Sequence, residues 1–175
     1  MMMIVPCLVL LTACGGKSSG KTMMEGTYVM SAVKIGDKEI KIADYSTRDM
    51  GKNDGMFYQA LVLAIISEGT FNGGVIGKDG IANTVRTQIT SANNNCKVKG
   101  KKIIDYVEGH DADYKIVNGI VKVKNTNSNT FEDLQVGVQT KYENSKMYRT
   151  FTFSKAADES GHFDYTCIYE IAALV

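Results

Sequence analysis

From Tyr114 to Ile171 apolar and polar side chains largely alternate, and a period of two commits a chain to half-buried β-strands. The clearest case is Tyr114-Lys115-Ile116-Val117, then Asn118-Gly119, then Ile120-Val121-Lys122-Val123. Asn-Gly suits a type I′ turn, in which both central residues need positive φ. A two-residue turn pairs Val117 with Ile120, Ile116 with Val121, Lys115 with Lys122 and Tyr114 with Val123. Tyr114, Ile116, Val121 and Val123 then form one dry face, and both lysines lie on the other. A slip of one residue would scramble that division, so the register is well specified.

Three further segments divide in the same way. Leu134, Val136, Val138 and Tyr142 oppose Gln135, Gln139 and Lys141. Met147, Phe151 and Phe153 oppose Tyr148, Thr150 and Thr152. Phe163, Tyr165, Cys167, Tyr169 and Ile171 oppose Asp164, Thr166 and Glu170. Nearer the start, Thr27 to Ile35 and Lys38 to Ile42 flank Gly36-Asp37 as a first hairpin. Thr70 to Ile76 and Ile81 to Ile89 flank Gly77 to Gly80 as a second. Met56 to Ile66 breaks the pattern, being apolar apart from Gln59. With Asn53 and Asp54 before it and Gly69 behind, it reads as a helix of about three turns packed over one end of the sheet. The expected fold is mostly β: an antiparallel meander forming a barrel or strongly curled sheet, with one short helix near residues 55–67. At 44% hydrophobic and 22% charged residues, 175 residues can bury a core as one domain. Twenty basic against nineteen acidic residues leave a formal charge of +1, which argues against nucleic acid as a partner.

Ile4 to Leu11 is a short apolar run holding Pro6 and Cys7. A bilayer span takes roughly 20 apolar residues, whereas a signal-peptide core takes roughly 7–15. The next residues, Leu11-Thr12-Ala13-Cys14-Gly15, resemble the lipobox of bacterial lipoproteins. That resemblance implies cleavage before Cys14, acylation of its sulfur by palmitate or a similar chain, and anchoring at the extracytoplasmic face of the cell membrane. Residues 1–13 are then a signal peptide, residues 14–25 a lipidated cysteine with a flexible tether, and residues 26–175 the domain. One departure from the pattern is that no Lys or Arg precedes the apolar run. A start codon assigned too far downstream would account for it.

The same region also fits a phosphate-binding loop. Gly15-Gly16-Lys17-Ser18-Ser19-Gly20-Lys21-Thr22 has the spacing G-x-x-x-x-G-K-[ST], with Lys21 for phosphate oxygens and Thr22 for magnesium. Such a loop must open a helix, yet Gly26 follows closely and strand alternation begins. Ile103-Ile104-Asp105 offers only a faint Walker-B partner, and alternating strand and helix patterns are absent. The lipoprotein reading is preferred, and no cofactor is expected.

Gly26-Thr27-Tyr28-Val29-Met30-Ser31 and Ile35-Gly36-Asp37-Lys38-Glu39-Ile40 resemble the opening of the lipocalin-like domains of small bacterial lipoproteins. True lipocalins carry G-x-W there, the tryptophan plugging the base of the barrel. This chain has no tryptophan and places Tyr28 at that position. The resemblance covers about a tenth of the chain and implies a small apolar ligand in the barrel mouth.

Outside the anchor, Cys96 and Cys167 remain as one potential disulfide, against Cys167 as a plain buried hydrophobe. Glu108-Gly109-His110-Asp111-Ala112-Asp113 could suggest a metal, but its spacing matches neither zinc nor calcium sites, so it reads as a solvated turn. His162 reads as a turn residue. Lys97, Lys99, Lys101 and Lys102 look like guards of a sheet edge, the alternative being attraction to anionic lipid or a cell-wall polymer. There is no G-x-S-x-G elbow, and no spacing supports Cys167 with either histidine as a catalytic pair. The expectation is a non-enzymatic, lipid-anchored module binding a small apolar ligand or an envelope component. The alternatives are a structural or assembly lipoprotein without a cavity and, more remotely, a P-loop protein.

Overall fold

The computed structural model describes residues 21–46, 48, 55–67, 87, 96–105, 111–155 and 158–172. Along the chain these give β1 (Gly26–Ile35), β2 (Lys38–Lys41), a 3-10 turn (Ile42–Asp44), helix α1 (Met56–Ser67), β3 (Cys96–Lys99) and β4 (Lys102–Asp105). They continue as β5 (Asp111–Val117), β6 (Ile120–Lys124), β7 (Phe131–Asp133), β8 (Gln139–Glu143), β9 (Lys146–Lys155) and β10 (Asp158–Ile171). All strand pairs are antiparallel. β1 pairs with β10 on one side, and with β3 and β2 at its two ends on the other. Strands β3-β4-β5-β6-β8-β9-β10 therefore close on β1 as an eight-strand ring, with β2 and β7 off it.

The closure depends on an irregularity in β1. Its apolar residues change parity, from Tyr28 and Met30 to Val33 and Ile35, which a regular strand would split between faces. The register shifts between Met30 and Ala32, so all four stay opposite the dry face of β10: Ile171, Tyr169, Cys167 and Tyr165. A bulge of this kind also adds twist, which helps a sheet to curl. At the start of β1, Gly26 has φ +150°, and a Cβ there would stand 2.9 Å from Ile171 Cγ2. Only glycine lets these backbones approach so closely.

The Asn118-Gly119 hairpin has the anticipated register at all four pairs, with φ of 52° and 80° at the turn. Val121 is wholly buried and Lys115 exposed. A second positive-φ turn, Asn144-Ser145, joins β8 to β9. α1 buries Phe57, Tyr58, Leu61, Val62, Ala64 and Ile65 in the same core cluster as the inward residues of the strands. It packs against β1 and β2, with Phe57 edge-on to Tyr45 at 5.4 Å. The capping residues expected for it, Asn53, Asp54 and Gly69, lie outside the described residues.

The ring has a seam. β6 meets β8 only around Ile120↔Lys141, with Tyr142 N–H donating to the Gly119 carbonyl at 2.8 Å. The far half of β6 instead pairs with β7. Here the expected continuous strand from Leu134 to Tyr142 is corrected. The chain turns at Val136-Gly137, closed by a Gln135↔Val138 bridge, and Val136 is 96% exposed. Gly137 at φ 74° permits the turn, and it outweighs the alternation that placed Val136 on the dry face.

Of the second expected hairpin, residues 70–89, only Thr87 is described, and it is helical where a strand was expected. His162 lies within β10 opposite Ser154 and not in a turn, because β10 starts earlier than the alternation suggested. The lysine run does not guard an edge. β3 is paired on both sides, by β1 and β4, so Lys97 and Lys99 simply occupy its exposed face.

Candidate functional site: a buried arginine inside the ring

Inward positions of neighbouring strands form rows around the ring. One row runs Thr140, Arg149, Cys167, Val33, each directly paired with the next across β8, β9, β10 and β1. Apolar layers lie on either side of it. Tyr142, Met147, Tyr169 and Met30 form one, and Phe151, Tyr165 and Ile35 belong to the other. The alternation that buries Met147 and Phe151 forces the residue between pairs of outward side chains to face in, and that residue is Arg149.

Arg149 is 4% exposed. Its Nη2 donates to Gln135 Oε1 at 3.0 Å, and its guanidinium lies 5.7 Å from the Tyr169 ring centre and 6.0 Å from that of Phe151. Among the described residues no carboxylate forms an ion pair with it. Among the described residues its Nε has no hydrogen-bond partner, and neither does Thr140 Oγ1, which is wholly buried at the directly paired position. Leaving a buried donor unmet costs about 1–3 kcal/mol, more for a charged group. Two such atoms on directly paired residues give this part of the apolar interior a polar niche with spare donors.

Gln135 links the niche to the surface. With Val136, Gly137, Val138, Phe151, Thr152 and Tyr165 it lines a cleft of about 280 Å³ at the seam. Phe151 and Tyr165 stack there at 5.3 Å and 10°.

The opposite end of the ring is covered. Met23 is buried, and its N–H donates to the Tyr114 hydroxyl at 2.9 Å. Met24 N–H donates to the Tyr142 hydroxyl at 3.0 Å, and the Tyr28 hydroxyl donates to the Met24 carbonyl at 2.8 Å. Gly100 N–H reaches Glu25 Oε1 at 3.0 Å. The end of the expected tether, residues 23–25, thus belongs to the domain. Tyr28 itself is wholly buried, and burial raises its hydroxyl pKa, as does its hydrogen bond with Tyr142.

Cys96 and Cys167 are both buried as thiols, and the disulfide considered from the sequence is not made. Cys96 pairs with Tyr28 and Cys167 with Val33, on opposite sides of β1. That offset is roughly 13 Å along the strand, against a Cα limit of about 7 Å for a bridge. The Cys96 thiol instead donates to Met147 Sδ at 3.8 Å. Burial pushes the Cys167 thiol up to about 12, with the charge of Arg149 and a hydrogen bond from Tyr169 opposing. A thiol held there supplies almost no thiolate nucleophile at neutral pH.

Other sequence candidates do not converge on this niche. Lys21 borders a groove of about 610 Å³ at the covered end, with Asn118, Gly119, Lys141, Tyr142, Glu143, Asn144 and Ser145. Thr22 runs through residues 23–25 into β1, so no helix follows the phosphate-loop spacing. Cys14 and His110 lie outside the described residues. Asp111, from the His110 segment, ion-pairs with Lys102 at 2.8 Å on the exposed face. No group of three or more potential metal ligands occurs among the described residues. No family model, curated protein or solved structure matches this chain.

Proposed function

We propose that the chain is a membrane-anchored, extracytoplasmic lipoprotein. Its lipocalin-like β-domain is a non-enzymatic module that binds a small, largely apolar ligand. The observation that carries this reading is the polarity of the ring. The segment leading back towards Cys14 seals one end, at Tyr28 and Ile171, while the Phe151–Tyr165 cleft opens at the other. Tyr165 and Ile171 are roughly 20 Å apart along β10 at the usual strand rise. A lipid on Cys14 would then stand the domain on its sealed end with the cleft facing away from the membrane. Acyl chains contribute about 0.8 kcal/mol per buried methylene, so several on one residue hold a protein at a bilayer. Expressed in a bacterial host, the wild type is expected in the detergent phase and Cys14→Ala in the aqueous phase. Both in the aqueous phase, with residues 1–13 still attached, would refute the anchor.

A further inference from the structure

We propose that Arg149, with Thr140 and Gln135, forms an internal anion site that takes the carboxylate of a singly charged amphiphile entering through the Phe151–Tyr165 cleft. This rests on reading the ring as a binding module, and it names the chemical class of ligand. The guanidinium is 4% exposed and hydrogen-bonds Gln135 through Nη2, while Nε is unmet. Thr140 Oγ1, also unmet and wholly buried, is on the adjacent strand at the paired position. Paired positions in an antiparallel sheet place Cβ atoms about 4.5–5.5 Å apart, so one small acceptor can be reached from both. A guanidinium presents a planar fork that matches a carboxylate, and a hydroxyl adds a third donor.

The charge count selects the ligand. One cation stands in the niche, with no second lysine or arginine among the buried residues described. A dianion such as a phosphate monoester would leave a negative charge uncompensated in an apolar interior. The walls around the niche are aromatic and aliphatic: Tyr169, Met147, Phe151 and Tyr165 are all buried. Their rings suit a hydrocarbon or aromatic tail, and the Tyr169 hydroxyl hydrogen-bonds the guanidinium. Gln135 belongs both to the cleft and to the guanidinium contact, so the route in and the charged end of the site share a residue.

The test is calorimetry on the full chain, with dodecanoate, dodecanol and inorganic phosphate as probes, for wild type, Arg149→Met and Thr140→Val. Dodecanoate should bind the wild type more tightly than dodecanol, and phosphate should not bind. Arg149→Met should weaken dodecanoate by roughly ten- to a hundredfold, the usual scale for a lost charged hydrogen bond, and dodecanol by a much smaller factor. Thr140→Val should weaken dodecanoate by a smaller factor, and it tests the site even if the arginine variant fails to fold. Equal binding of dodecanoate and dodecanol, unmoved by either substitution, overturns the anion site while leaving an apolar-ligand module intact. Binding of neither amphiphile overturns both readings. Phosphate binding that disappears in Arg149→Met overturns the assignment to carboxylate.

Discussion

Supplying Arg149 with a permanent carboxylate should change the molecule in a way that depends on the arginine itself. Thr140→Asp is the natural perturbation, because residue 140 is wholly buried, directly paired with Arg149 and similar in size to aspartate. At the usual cross-strand Cβ spacing of about 4.5–5.5 Å, the new carboxylate can reach about 4 Å from the guanidinium. At an effective dielectric constant near 20, two unit charges at that separation attract by about 4 kcal/mol. Burying the carboxylate costs several kcal/mol, so the two effects nearly cancel and Thr140→Asp alone should shift stability by no more than about 1 kcal/mol. In an Arg149→Met background the same carboxylate has no partner, and the expected loss is about 3–5 kcal/mol. Methionine keeps most of the arginine stem, so that background tests the charge more than the packing. Urea unfolding of the wild type, both single variants and the double variant gives the coupling directly, with about 3 kcal/mol expected. If Thr140→Asp costs the same in both backgrounds, within about 0.5 kcal/mol, the side chains do not meet and the niche is wrongly drawn.

Two further outcomes test the ring. Gly26→Ala should cost about 1–3 kcal/mol, because its Cβ meets Ile171 Cγ2 at 2.9 Å and its φ of +150° disfavours a side chain. The Tm should fall by several degrees, Ile171→Ala should recover part of the loss in the double variant, and an unchanged Tm refutes the close approach. Alkali should destabilise the fold through Cys167: its native thiol binds a proton up to about 12, whereas an unfolded one releases it near 8.5. The native state therefore holds more protons in that window, so this stability is complete below about pH 8.5 and declines as pH rises, by about 1.4 kcal/mol per unit. Burial also raises Tyr165 and Tyr169, which extend the decline above about pH 10. Urea midpoints from pH 8 to 10 should fall less steeply in Cys167→Ala than in the wild type, and parallel curves would show that the thiol is not held protonated.

Local pattern alone carried much of the architecture. The period-two alternation fixed the faces of β6, β9 and β10, Asn118-Gly119 fixed one register to the residue, and Gly36-Asp37 marked the first hairpin. The apolar run from Met56 to Ile66 was legible as helix. Arg149 was legible too, in principle, since its parity with Met147 and Phe151 places it on the dry face. Its charge hides it, because a charged side chain reads as surface until register is considered. Thr140, between Val138 and Tyr142, escaped in the same way.

Other features were beyond any local reading. The Val136 turn depends on where β6 exchanges β8 for β7, and the fully paired state of β3 depends on β1 reaching round to it. The separation of Cys96 from Cys167 follows from their pairing along β1, which neither residue's neighbours encode. The sequence by itself determined which residues form strands and which way most of them face, because side-chain period and turn chemistry act over a few residues. The tertiary structure alone decided that the strands close into a ring, that residues 23–25 seal one end, and that Thr140 lies beside Arg149. Those outcomes are set by pairing between distant segments, where burial of the shared interior outweighs the preference of any single stretch.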